Sequence, residues 1–393
     1  MASIEDSFMD HEFTPDDLRR MIRRRPGMYV GNRDEFGLSM FLEHLLVLGF
    51  NAGRAGRVRA ICVDLLEDGA CRVSFDGSPW PLLPWTAPLE SLEPWFTVDA
   101  FASRARAVPA VLGTPSGIHC RESEVYLGAI NVLSSRLDVV AWSKGQTWRR
   151  RYRGGVAEEG ILPFVASEAS GTDSGVHITC TPDESLFSPI VRFSWSGLQE
   201  RVHVLSAFHA GVSWTLRDEA SGTEVRFFRE RGIADLCAEL ADTSFIQEPW
   251  TFEGQVEDVR LQVALGWRHR LSRGLSSWVN LQRCLVGGPH HRGFLVGMRR
   301  AFVSRLRRLG RERDAQIFSD GALLEHLTGV LDLRIAPDVL GNPVKHVFAP
   351  PEVEAPVARL VEDWVTCALT EDPELEATLF KFAGCEPAGG NEP

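Results

Sequence analysis

Residues 25–31 read Arg25-Pro26-Gly27-Met28-Tyr29-Val30-Gly31. Proline and glycine make this stretch a fixed break between two helical patterns. The pattern before it opens at Pro15-Asp16-Asp17-Leu18, with Thr14 in the N-cap place and Pro15 at the first helical position. The pattern after it runs from Leu38 to Phe50, where Leu38, Phe41, Leu42, Leu45, Leu46, Val47, Leu48 and Phe50 cover more than one face. A helix apolar nearly all round is a buried one. Beyond it, Val58–Leu65 and Ala70–Phe75 alternate as strands, joined by the hairpin signal Asp68-Gly69.

Further along, residues 78–116 carry Pro79, Pro81, Pro84, Pro88, Pro94, Pro109 and Pro115. Such a long irregular excursion is of the kind used as a lid. A second buried helix is expected over Val125–Ser134, then strands at Leu137–Trp142, Thr147–Tyr152 and Gly175–Cys180. Leu198–Ala207 reads as a helix and Val212–Arg217 as a strand. The order implies an α+β layer of helices over a mostly antiparallel sheet. A second unit, from residue 223, has strands at Val259–Trp267, Ser277–Leu281 and Leu327–Ile335, with long helices from about Phe294 to Arg308 and over Val353–Leu369. The expected organisation is an acidic arm over 1–14, a first domain over 15–222, a second over 223–383 and a disordered tail over 384–393.

Composition narrows the function classes. The 393 residues are 44% hydrophobic and 24% charged, which fits a globular protein and excludes a disordered one. No run of 18 apolar residues suggests a membrane span, and the acidic start MASIEDSFMDHEF does not read as a secretory signal. A net charge of −11 argues against strong DNA binding. The cysteines Cys62, Cys71, Cys120, Cys180, Cys237, Cys284, Cys367 and Cys385 form no CxxC pair or zinc-type cluster. Reduced thiols, a cytoplasmic location and no metal are expected.

The residues around the opening stretch resemble a known family. Arg25–Gly31 is similar to the RPGMYIG signature of the B subunits of DNA gyrase and topoisomerase IV. Gly117-Ile118-His119 with Asn131-Val132-Leu133-Ser134 resembles the GLH…VNALS segment of the same family. Gly211-Val212-Ser213 with Leu216-Arg217-Asp218, and Gly287-Gly288-Pro289-His290 with Gly293-Phe294, continue the likeness in the family's order. It implies a GHKL (Bergerat-type) α/β sandwich, over residues 15–222, followed by a ribosomal-S5-type transducer domain. The acidic metal site of the family's Toprim part is not seen.

The resemblance also implies where nucleotide chemistry would sit. The family's general base, a Glu on the first buried helix, aligns with His44, and its magnesium-binding Asn aligns with Leu48. A leucine cannot bind a hard cation. Glu43 lies beside the base position, about 100° round the helix. The Asp of the adenine-reading DxGxG motif aligns with Phe75 and its last Gly with Pro79, with Asp76 one place on. The family's helping Thr aligns with Val176. The phosphate loop loses its later glycines and gains Glu122 and Glu124. Of the transducer's QTK triplet only the lysine remains, as Lys345.

These changes predict a gyrase-B-like protein that is not an enzyme, has no cofactor and acts as a binding or scaffold protein. Phe75, Pro79, Trp80, Trp85 and Val176 replace or border polar contacts, with Asp76, His44, Leu48 and Lys345 around the same former ATP pocket. Two readings of the rings follow. They line a groove for a peptide or protein partner, or they fill the volume a nucleotide would have left. A divergent ATPase switch, and a regulator that pairs with true gyrase subunits, are the other readings. A homodimer through the N-terminal arm is a further expected partnership. Arg299, Arg300, Arg305, Arg307, Arg308, Arg311 and Arg313 read as a solvated or ion-paired helix face, and Arg149–Arg153 as a charge-guarded strand edge.

Overall fold

A computed structural model describes residues 14–80, 96–98, 127–143, 146–158, 162–163, 174–188, 192–241, 245–246, 248–268, 274–318, 321, 324–335, 349–383 and 385. The chain divides into two compact units, Met1–Arg229 and Glu230–Pro393.

The first unit opens with α1 (Pro15–Arg24), α2 (Gly27–Val30) and α3 (Glu35–Arg54). Thr14 and Asp17 form a capping box at the start of α1, each accepting the other's backbone N–H. Asp34 caps α3 by accepting from the Gly37 N–H. The strands β1 (Ala60–Leu65), β2 (Cys71–Phe75), β3 (Ser134–Ser143), β4 (Gln146–Arg153), β5 (Val156–Ala157), β6 (Leu162–Pro163) and β7 (Ser174–Pro182) follow. Then come α4 (Trp195–Ala207), β8 (Ser213–Asp218) and β9 (Thr223–Phe227). Among the described residues they build one nine-stranded sheet in the order β5-β4-β3-β7-β2-β1-β8-β9, with β6 also on β4. Only the β1–β8 pairing is parallel among those described in this sheet.

α3 is the core helix. Its apolar residues wrap it almost completely, and Phe41, Leu45, Leu46 and Phe50 are at most 1% exposed. It is long and apolar enough to pass a test for a membrane span, but 72% of that window is buried in the fold. Phe75, Val73 and Cys71 of β2 share the sheet's inner face with Val176, Ile178 and Cys180 of β7, as the period-2 alternation requires.

The opposite face of the sheet is charged and in register. Along one cross-strand row stand Arg151, Asp138, Thr179, Arg72, Asp64, Arg217 and Glu224. Asp138 pairs with Arg136 at 2.6 Å, Arg149 at 3.1 Å and Arg151 at 3.0 Å. β4 is therefore no open edge: β5 and β6 cover its far side, and its arginines neutralise a buried carboxylate.

The second unit contains α5 (Ile233–Ala241), β10 (Trp250–Val256), β11 (Val259–Trp267), β12 (Gly274–Val279) and β13 (Gln282–Cys284). It continues with α6 (Pro289–Arg308), α7 (Glu312–Ile317), β14 (Leu327–Ile335), α8 (Glu354–Glu371) and α9 (Pro373–Phe382). Its sheet runs β10-β11-β14-β12-β13. Leu327, Leu331, Leu333 and Ile335 of β14 join Phe294, Phe302 and Leu306 of α6 and Val357, Val361 and Val365 of α8 in one core. Gly293 and Gly297 let α6 and α8 approach: a Cβ there would stand 2.5 Å from the carbonyl oxygens of Glu354 and Ala358 respectively.

The basic face of α6 is ion-paired. Arg292 meets Glu354, Arg300 meets Glu362 and Arg305 meets Glu376, so α8 and α9 supply the counter-charges.

Candidate functional site

Of the positions marked by the sequence, Phe75 and Val176 lie on the inner face of the first sheet, and His44 and Leu48 lie on α3. Phe75 ends β2 and pairs across the strands with Val176 of β7. Its ring projects toward α3: a Cβ on Gly49 would lie 2.7 Å from Phe75 Cε1 and 3.0 Å from Ile61 Cδ1. Gly49 is thus the notch that admits the ring. One residue before it, Leu48 is 5% exposed, and His44 one turn earlier is 6% exposed.

Trp80 and Phe75 are 1% and 2% exposed, and Val176 is fully buried. Trp80 meets Phe96 edge-on, with ring centroids 5.8 Å apart, and Phe96 lies 5.8 Å from Tyr152. Pro79 is buried beside Trp80, and its carbonyl accepts from Arg57 Nη2 at 3.2 Å. An aromatic-lined groove is therefore not what the described rings form. They are packed into the interior, which leaves their faces no room for a peptide. Trp85, Glu122, Glu124 and Lys345 lie outside the described residues.

Two carboxylates near the site have structural partners. Asp76 accepts the Arg59 backbone N–H at 2.8 Å and so fastens the approach to β1. It is a brace rather than a group aimed at the inner space. Glu43, the residue beside the base position, is 7% exposed and takes Arg201 of α4 in a two-point ion pair, with Arg201 Nε to Glu43 Oε2 at 2.6 Å. Arg201 carries no signal of this role in the sequence. Its spacing from Glu43 along the chain, 158 residues, is invisible without the fold.

Two thiols near this layer, Cys62 and Cys180, are pushed up. Cys62 is pushed up to about 12, first by burial and then by the Asp64 carboxylate beside it. Cys71 and Cys180 face each other across β2 and β7 with their sulfurs 3.4 Å apart, and the contact with Cys71, then burial, raises Cys180. Among the described residues no group of three or more His, Cys, Asp or Glu side chains could hold a metal ion.

In the second unit the Gly287-Gly288-Pro289-His290 stretch opens α6. Gly287 has φ +70° and Gly288 φ +156°, left-handed values that favour glycine. His290 is fully buried, and burial, then the neighbouring His291, lowers it to about 4. Leu327 to Ile335, the run that leads toward Lys345, is the buried central strand β14.

Each of the two units, a nine-stranded sheet under a buried helix and a five-stranded sheet under two long ones, has its counterpart in the GHKL-type fold of solved gyrase B ATPase domains. Solved structures agree. The chain superposes on the 43K ATPase domain of Thermus thermophilus gyrase B, solved in complex with an aminocoumarin, with a TM-score of 0.73 and 20% identity over 93% of each chain. The gyrase B-subunit of Myxococcus xanthus gives a TM-score of 0.71 at 23% identity, covering 92% of this chain and 99% of that one. A family model described as DNA gyrase B matches residues 232–384. The B subunit of DNA topoisomerase 4 from Staphylococcus epidermidis is 25% identical over 369 residues, covering 92% of this chain and 54% of the relative, and the Staphylococcus aureus protein gives the same values. The chain is thus similar to the B subunits of gyrase and topoisomerase IV along nearly its whole length, as the motifs implied. It spans about half the length of the curated relatives it matches.

One expectation is overturned by these likenesses. The lost motif residues predict a chain that is not an enzyme, yet the proteins it resembles are enzyme subunits, and a gyrase B ATPase domain shares its fold.

Proposed function

We propose that this chain is a gyrase-B-type module that works within a topoisomerase-like enzyme assembly by engaging a protein partner, a subunit of gyrase type. The observation that carries this reading is the similarity to proteins named as B subunits, extending over 92% of this chain and through both units in the same order. The second unit would then serve as the transducer, relaying a change in the first unit to the partner. The filled space at Phe75, Trp80 and Val176 moves recognition of a protein from the interior to the outer surfaces. Such an assembly would work in the cytoplasm. Mixing the purified chain with gyrase-type subunits and following their elution tests it. Co-elution in fixed ratio is expected; separate elution at every concentration overturns the reading.

A second reading, a divergent nucleotide-dependent switch, is favoured by the match to an ATPase domain over 93% of the chain. His44 would act on the attacking water, since it stands at the family's base position on α3. Calorimetric titration with a non-hydrolysable ATP analogue and magnesium decides it. Heat accompanied by a rise in Tm supports the switch. Absence of both overturns it, because Leu48 and Phe75 would then have removed the metal and adenine contacts that binding needs.

A further inference from the structure

Two cysteines stand opposite each other in the middle of the first sheet. Cys71 opens β2, and its register partner on the antiparallel β7 is Cys180. Directly opposed residues of an antiparallel pair have Cα atoms about 4.5–5.5 Å apart, inside the range of about 4.4–6.8 Å that a disulfide spans. Both side chains belong to the inner face, in line with Val73 and Phe75 on one strand and Ile178 and Val176 on the other. Their sulfurs lie 3.4 Å apart, so a bond of about 2.05 Å needs a closure of about 1.4 Å, within reach of rotation about the two Cα–Cβ bonds.

No other partner competes strongly for these sulfurs. Cys71 and Cys180 are both fully buried. Besides the sulfur contact, Cys180 Sγ reaches only the Cys71 carbonyl, at a long 3.8 Å. The other described thiols are placed elsewhere. Cys62 lies on the opposite face of the sheet, where it donates to Asp64 at 3.2 Å. Cys237, Cys284, Cys367 and Cys385 belong to the second unit. Contact with Cys71 and burial keep the Cys180 thiolate scarce, so oxidation of the pair is slow rather than forbidden. Enclosure also selects the oxidant. Hydrogen peroxide is little larger than water and reaches a buried sulfur through brief openings that would not admit a bulky disulfide.

We propose that Cys71 and Cys180 are a paired oxidation site, which hydrogen peroxide converts into a cross-strand disulfide fastening β2 to β7. One thiolate attacks a peroxide oxygen; the O–O bond breaks, the leaving hydroxide takes up the thiol's proton as water, and a sulfenic acid forms. The second thiolate attacks that sulfur; the S–O bond breaks, a second water leaves with the second proton, and the S–S bond forms. The two thiols give up two electrons and two protons, and the peroxide takes them. The link joins positions 109 apart along the chain and so restricts the unfolded state strongly. In the folded state it fixes one end of the strand pair that carries Phe75 and Val176 at the other. This reading does not rest on the function proposed above.

The test uses the full chain. Iodoacetamide without denaturant first caps accessible thiols such as the exposed Cys367 and leaves enclosed ones free. Millimolar hydrogen peroxide follows, then N-ethylmaleimide in denaturant, digestion without reductant and mass spectrometry. The expected product is a peptide pair joining Cys71 to Cys180, lighter by two hydrogens than the separate peptides and split by dithiothreitol. The oxidised chain should melt about 5–10 °C higher than the reduced one. Peroxide should raise the melting temperature of neither Cys71→Ala nor Cys180→Ala. Mapping of the link needs no substitution, so it decides the matter even where a variant fails to fold. Recovery of both cysteines as maleimide adducts after peroxide overturns the proposal. So does their recovery as separate sulfinic or sulfonic acids, or a link from either to any other cysteine.

Discussion

The α3–β2 contact of the first unit and the α6–α8 contact of the second use glycine in opposite ways. In the first, glycine makes room for a side chain: Gly49 receives the Phe75 ring, whose Cε1 would stand 2.7 Å from a Cβ there. In the second, Gly293 and Gly297 make room for a backbone, bringing α6 against the carbonyls of α8. Both units bury a carboxylate with its cation, Glu43 with Arg201 in the first and Asp332 with Arg334 in the second, and the second also buries His290, lowered by burial to about 4. A ring can move or be shortened, and a paired charge can be removed with its mate. A backbone cannot retreat without moving a helix. The α3–β2 contact is thus one that substitutions could fill without loss of fold, and the α6–α8 contact is one that had to keep its spacing.

Removing one half of the ion pair should have the largest effect. Glu43→Ala leaves the Arg201 guanidinium mostly enclosed and is expected to cost about 3 kcal/mol, read from denaturant midpoints. The double variant Glu43→Leu/Arg201→Met should recover most of it, and failure to recover would show that the pair is not the unit of stability.

The acid limb of stability probes the buried histidine of the other unit. His290 is lowered in the fold to about 4 from an ordinary value of 6.5, so its neutral form favours folding. The stability it supplies is complete above about pH 6.5 and is lost as the pH falls toward about 4, by about 3 kcal/mol in all. His290→Leu should flatten that part of the profile in thermal unfolding between about pH 7 and 4. An unchanged slope would show that other groups set it.

Gly297→Ala should cost about 2–3 kcal/mol, because the new Cβ meets backbone. Shortening Val361 should not rescue it fully. Gly49→Ala should cost less, about 1–2 kcal/mol, and Phe75→Leu in the same chain should recover part of the loss. A double-mutant cycle gives both couplings. Equal rescue at the two glycines would erase the distinction drawn between the two contacts.

Much of the fold is legible because it rests on period. Val259–Trp267 and Leu327–Ile335 coincide with β11 and β14, and the apolar wrap of Leu38–Phe50 lies within α3. Ends are less legible. The helix expected from Phe294 begins at Pro289, since Pro at the first helical position carries no periodic apolar signal of its own. β9 and β10, both half-exposed, and the helices α5 and α9 do not stand out from the residue pattern. β9 also moves the boundary between units: its pairing with β8 keeps residues 223–227 in the first unit, where the sequence pattern starts the second.

The candidate site divides the same way. That Leu48, Phe75 and Val176 stand where the resembled family carries polar groups is what the resemblance implies, position by position, from the residues. The family likeness also follows from them, through motifs whose order along the chain is their meaning. The folded arrangement was needed to show that the rings are interior filling, that Glu43 belongs to Arg201 and that Asp76 braces the Arg59 backbone. Each of those depends on which residue of a distant segment stands opposite. That is fixed by sheet register and helix packing, which a linear pattern does not contain.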